Sequence, residues 1–182
     1  MINKYIACMI FCVALIIGCS KDKTTQDESI KSEQGVESKA AGAAIQISGI
    51  GSYGTPTECN APEGVGATFT IRMTGDLVGC VYTFVTDYQC SPSGTYREQG
   101  TELFVGTYNG QSGTFMTGYR FEGKYEGCPD NGEPLGLEIF GRCQHPVIEG
   151  SGTGVFSGVT GRLSFKDNVV ELIFPYEGHL KF

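Results

Sequence analysis

Few side chains in this sequence could do acid–base, nucleophilic or metal chemistry. There are two histidines. His145 shares the parity of Leu137, Ile139 and Cys143 and is followed by Pro146, a setting that predicts a hydrogen-bonded histidine near a strand end. His179 falls on the polar parity of the last segment and is expected in solvent. Glu138 and Arg142 lie two residues either side of Phe140, the spacing of an outer ion pair across one strand face. Cys143-Gln144-His145 is too tight for a metal pair and no Cys-x-x-Cys occurs, so no metal site is expected. No Gly-x-Ser-x-Gly sits on a strand-to-helix turn. Gly150-Ser151-Gly152-Thr153-Gly154 has neither the spacing nor the following helix of a phosphate-binding loop. No catalytic residue and no cofactor are assigned.

Positioning these groups falls to strands. Ala67 to Thr74 alternates apolar and polar residues without a lapse, the period of a half-buried strand. Leu77 to Tyr88 is apolar at both parities, which predicts a strand covered on both faces. Tyr96 to Tyr108 forms another, and Asn109-Gly110 is a strong hairpin signal. Beyond it Phe115, Tyr119, Phe121 and Tyr125 share one parity, whereas Met116, Arg120, Glu122, Lys124 and Glu126 share the other. An aromatic inner row and an outer row of exposed cross-strand charge pairs follow. In the last segment Val170, Leu172, Phe174, Tyr176, Leu180 and Phe182 share a parity, and Pro175 belongs at an edge or bulge. No useful window has a helical period. Inner aromatics, with Tyr82, Phe84, Tyr119, Phe121 and Tyr125 as candidates, would suit a small apolar ligand; a packed core is the alternative.

Five cysteines lie in this region: Cys59, Cys80, Cys90, Cys128 and Cys143. In an oxidising compartment they form at most two disulfides. If Gly75-Asp76 is a two-residue loop, its register extends to place Cys59 opposite Pro92, two residues from Cys90. Cys59 is therefore expected to pair with Cys90 across a bulge. Cys128 and Cys143 flank one hairpin and would pair if its strands curl. Cys80 is left as a buried thiol.

The stretch from Gly150 to Phe165 alternates glycine with Thr, Ser, Val and Phe. It predicts a strand, a tight corner near Gly158 to Gly161, and a second strand through Phe165. Gly152, Gly154, Phe156, Gly158 and Gly161, with the threonines between, resemble the Gly-Thr-Gly-x-Phe-x-Gly-x-Thr-Gly run of bacterial proteins similar to the allene oxide cyclase and dirigent barrels. That resemblance implies an antiparallel β-barrel closed by this run, often trimeric, over Phe69 to Phe182. With about eight strands joined mostly by short turns, the fold class is all-β and the barrel has about eight antiparallel strands.

Residues 1–18 read as an address. A basic start at Met1 to Lys4 precedes an apolar run from Tyr5 to Ile17, too short for a membrane span of about 20 residues. Ile16-Ile17-Gly18-Cys19 resembles a bacterial lipobox, in which Cys19 receives the lipid and becomes the mature N-terminus. The alternative is an ordinary secretory signal containing a cysteine. Acyl chains on Cys19 would hold the protein on a membrane. Ser20 resembles outer-membrane sorting, and Ser20-Lys21-Asp22-Lys23 part of the surface-export signal of Bacteroidetes lipoproteins. Residues 19–43 are polar and lack aromatics, the composition of a flexible tether with a reach of roughly 25–30 Å. The barrel domain then spans 44–182.

Formal net charge is −7, with no basic run, which opposes nucleic acid as a partner. Three functions remain open. The first is a lipid-anchored outer-membrane protein whose barrel binds a ligand without catalysis. The second is an isomerase or cyclase acting on a small apolar substrate inside the barrel, by fold analogy. The third is a structural envelope protein associating with itself. An enclosed cavity with buried polar groups favours the first two, and a solid interior the third.

Overall fold

The computed structural model describes residues 42–129 and 132–182. The leader, the lipobox with Cys19, and the tether as far as residue 41 lie outside the described residues. Nine strands follow: β1 (Ile45–Tyr53), β2 (Phe69–Gly75), β3 (Leu77–Cys90), β4 (Thr95–Tyr108), β5 (Gln111–Lys124), β6 (Phe140–Pro146), β7 (Thr153–Gly154), β8 (Thr160–Lys166) and β9 (Ile173–Lys181). Each of β1 to β5 pairs antiparallel with the next, β6 pairs with β8, β8 with β9, and β9 returns to β1. The result is a closed eight-stranded antiparallel barrel, with the two-residue β7 added beside β5. Closure leaves no unpaired edge among these eight.

The longest hairpin forms where the Asn109-Gly110 pair predicts it: both residues have positive φ (50° and 75°), and β4 and β5 pair without interruption from Tyr108↔Gln111 to Thr95↔Lys124. Its outer charges pair across strands as expected. Glu122 accepts from Arg97 at 3.0 Å and from Arg142 at 2.9 Å. Arg142 is thereby engaged on the outside, and the expected Glu138–Arg142 pair does not form. Leu137 and Ile139 are exposed, not inner-facing, because β6 begins only at Phe140; the inward parity holds from Gly141 through Cys143 to His145. Val170 and Leu172 are exposed for the same reason, since β9 begins at Ile173. Pro175 faces outward just past the last β8–β9 pair, Phe165↔Tyr176, where its missing N–H breaks no ladder bond on that side.

β3 is covered on both faces. Leu77, Val81 and Thr83 point into the barrel, while Cys80 and Tyr82 are buried outside it beneath the chain that joins β1 to β2. Tyr82 and Phe84 are therefore not interior residues; Ala61 N–H donates to the Tyr82 hydroxyl at 3.0 Å across the covering loop. That loop also corrects the disulfides. It makes a 3₁₀ turn at Pro62–Gly64 and doubles back over the outer face, so no strand register runs through it. Cys59 bridges Cys80, with Cα atoms 5.7 Å apart, and Cys90 bridges Cys128 at the same separation. Cys143, on the inner face of β6, is the free thiol among these five.

The glycine-rich corner also falls earlier than expected. After two strand residues the chain turns over Val155 to Gly158, because Phe156 and Val159 are drawn into the barrel end and are fully buried. Gly152 makes this possible: a Cβ there would lie 1.8 Å from the Phe156 carbonyl oxygen. Phe156 packs on Phe104 and Phe115, ring centroids 5.6 and 4.9 Å away. With Met73, Leu77, Leu163 and Leu180 these rings make the end of the barrel nearest the Asn109-Gly110 hairpin solid.

Candidate functional site

The other end is hollow. A half-open cavity of about 320 Å³ occupies the barrel interior, and all eight barrel strands contribute at least one lining side chain. The change of character can be followed along β4. Its inward residues run Tyr108, Phe104, Glu102, Glu98 and Tyr96, apolar toward the plugged end and acidic toward the mouth.

At the floor Glu102 is 3% exposed. Its register neighbours are Thr83 on β3 and Thr117 on β5. Both hydroxyls donate to it, Thr83 to Oε1 at 3.0 Å and Thr117 to Oε2 at 2.8 Å. His145 Nδ1 approaches Oε2 at 2.5 Å from β6. A carboxylate between two hydroxyl donors takes the imidazole Nδ1–H, which fixes the orientation of the ring. Its Nε2 is buried and has no hydrogen-bond partner among the described residues. The ring is held between Phe165 and Tyr119, centroids 4.5 and 5.8 Å away.

Nearer the mouth stands a second acidic group. Glu138 and Asp167 converge over Gly141: a Cβ on that glycine would lie 2.2 Å from Glu138 Oε1 and 2.7 Å from Asp167 Oδ2. Only glycine leaves room for the two carboxyl groups there. Glu138 Oε1 is buried on the side of Asp167, and the Tyr125 hydroxyl donates to Oε2 at 3.4 Å. Burial, reinforced by the charge of Asp167, pushes the Glu138 carboxyl up to about 7, and burial raises Asp167 as well. Two neighbouring carboxyl groups removed from water retain a proton between them near neutrality.

Tyrosines complete the wall. The Tyr96 hydroxyl donates to Glu98 Oε2 at 2.6 Å, and the Tyr119 hydroxyl lies against the same carboxylate. Burial raises the hydroxyls of Tyr96, Tyr119 and Tyr125 far above the usual phenol range, and nearby carboxylates add to it, so all three remain protonated donors. Burial likewise raises the Cys143 thiol, which lines the cavity as an inert SH.

Of the residues singled out in the sequence, Tyr119, Phe121, Tyr125, Glu138, Cys143 and His145 meet in this cavity, whereas Tyr82, Phe84 and His179 lie on the outer face. Gly152, Gly154, Phe156, Gly158 and Gly161 build the opposite, plugged end. Sequence reasoning passed over Glu98, Glu102, Tyr96 and Asp167. Their signal was parity: on β4 two carboxylates share the face of Tyr96, Phe104 and Tyr108, where an exposed strand would place them opposite. Among the described residues no three His, Cys, Asp or Glu side chains converge to hold a metal ion. No family model matches the chain, and no curated protein or solved structure matches it significantly.

Proposed function

We propose that this protein is a lipid-anchored receptacle: Cys19 carries the acyl chains that hold it on the outer membrane, and the barrel binds a small molecule in its open end. The observation that carries the binding reading is the cavity of about 320 Å³ inside the barrel, lined by Glu98, Glu102, Glu138, His145 and Asp167 among aromatic side chains. A barrel serving only as a rigid envelope component has no use for buried polar groups facing an interior space, each of which costs about 1–3 kcal/mol when unsatisfied. A ligand that fills the space and bonds those atoms recovers that cost. The barrel architecture is compatible with an allene oxide cyclase-like relationship, which we keep as part of this proposal. The Glu102–His145 pair favours one second reading, proton transfer to or from the bound molecule.

The experiment is a panel of single-ring aromatic probes, cationic, neutral and anionic, followed by ligand-observed NMR and by thermal shift on the full-length protein. At least one probe is expected to bind at millimolar or tighter affinity, and binding should vanish in Cys143→Phe, which fills the space from β6. If no probe of any charge binds the folded wild-type protein, the receptacle reading is wrong. Incorporation of a palmitate analogue that disappears in Cys19→Ala tests the anchor, and protease shaving of whole cells tells which side of the outer membrane the barrel faces.

A further inference from the structure

We propose that the molecule held in this cavity is an organic cation, a protonated amine carried on a compact apolar body. The inference rests on the receptacle reading and names its ligand class. Three independent properties of the wall lead to it.

Charge is the first. Four carboxyl groups, from Glu98, Glu102, Glu138 and Asp167, line the cavity, and among the described lining residues there is no lysine or arginine. A low-dielectric space walled by one sign of charge concentrates field of that sign. An anionic ligand such as a fatty-acid carboxylate is repelled, and a neutral one leaves the field unanswered.

Hydrogen-bonding capacity is the second. Several donors at and beneath the wall are engaged by carboxylates: Thr83 and Thr117 by Glu102, Tyr96 by Glu98, Tyr125 by Glu138. A carboxylate accepts at up to about four positions, so these donors leave acceptor capacity along the wall, at Glu98 and at the Glu138–Asp167 pair. An ammonium group brings two or three donors to that acceptor surplus.

Surface character is the third. Between the acids stand the aromatic faces of Phe69, Tyr119, Phe121 and Phe165, which attract a cation while covering the apolar part of the same molecule. A bare metal ion is a poor fit: the acids are dispersed along the wall, and no three donors converge. An amine on a ring or short chain uses both the dispersed charge and the rings.

The test compares three probes of nearly one shape: 2-phenylethylammonium, 2-phenylethanol and phenylacetate, titrated into the full-length protein at neutral pH. The ammonium should bind about tenfold or more tighter than the alcohol, and phenylacetate should not bind measurably. In Glu138→Gln/Asp167→Asn, checked for folding by its melting temperature, ammonium affinity should fall about tenfold with alcohol affinity little changed. Should that pair not fold, Glu98→Gln serves instead, with a smaller loss in the same direction. If the alcohol matches or exceeds the ammonium, or if removing the acids leaves ammonium binding intact, the cation assignment is overturned while the receptacle stands. If none of the three binds, both fall.

Discussion

A carboxylate 3% exposed in the middle of a barrel wall costs several kcal/mol unless its oxygens are satisfied. Glu102 meets that condition with two threonines and one histidine, each from a different strand. Truncating it strands three polar groups at once. Glu102→Ala should therefore lose about 3–5 kcal/mol, and Glu102→Gln, which still accepts from the threonines, about 1–3 kcal/mol. Urea unfolding followed by circular dichroism measures both, and an alanine variant as stable as the parent would show that the cluster contributes nothing. How this residue could have been found is instructive. Its place on the apolar parity of β4 was readable, since a glutamate among Tyr96, Phe104 and Tyr108 has to point inward. Its partner was not readable, because His145 lies 43 residues away and meets it only through the registers of β4, β5 and β6. His145 read correctly as a hydrogen-bonded histidine near a strand end, but nothing local announced that the partner would be ionisable.

Periodicity located the strands wherever one face is apolar and the other polar. Hence β2, the β4–β5 hairpin and the second half of β9 appear in the sequence nearly as they stand. It failed where chain leaves the sheet. The covering loop from β1 to β2 shows this: its glycines and prolines mark a loop, but not that the loop folds back over the outside of β3. Once it does, Cys59 meets Cys80 rather than Cys90, and Tyr82 is buried against the loop instead of in the barrel. The same limit applies to the glycine corner, where Phe156 inserts as a plug instead of continuing a strand. The covering loop is thin, with one 3₁₀ turn and few apolar residues, so the bridge is its main anchor. For a sequence separation of 21 residues, loop-closure entropy assigns the bridge about 3 kcal/mol. Cys59→Ser/Cys80→Ser should lose stability of that order and open the loop to proteolysis, with the barrel strands still protected from hydrogen exchange. Peptide mapping of the native protein should recover Cys59–Cys80 and Cys90–Cys128 as linked pairs and Cys143 as a thiol alkylated only after unfolding. Recovery of a Cys59–Cys90 pair would overturn this arrangement.

At the scale of the molecule, the barrel is two halves in one wall: a solid half plugged by Phe156 and a hollow half walled by acids. An apolar core holds the first together, and the second draws on that stability to keep Glu138 and Asp167 side by side over Gly141. This division predicts how stability responds to pH. The folded protein raises the Glu138 carboxyl to about 7 from an ordinary value of 4.5, through burial first and Asp167 second, and raises Asp167 also. Between those values the native state binds more protons than the unfolded chain, so unfolding free energy falls as pH rises. The contribution is full below about 4.5 and lost once pH passes about 7. Glu58 and Glu122, held below the usual range by hydrogen bonds to Thr55 and to Arg142 and Arg97, act in the opposite direction, but their window lies below 4.5 and both are exposed. From pH 5 to 7.5 the acid pair sets the slope: the melting temperature should decline across that interval, and Glu138→Gln should flatten the decline. The groups facing the pair are Tyr125, Tyr53, Glu98 and His145, and the tyrosines hold their protons throughout because burial raises them. A cationic ligand changes the sign of the local field, so saturating 2-phenylethylammonium should stabilise the protein more at pH 7.5 than at pH 5. Equal stabilisation at both values would mean that the ligand does not sense the Glu138–Asp167 pair.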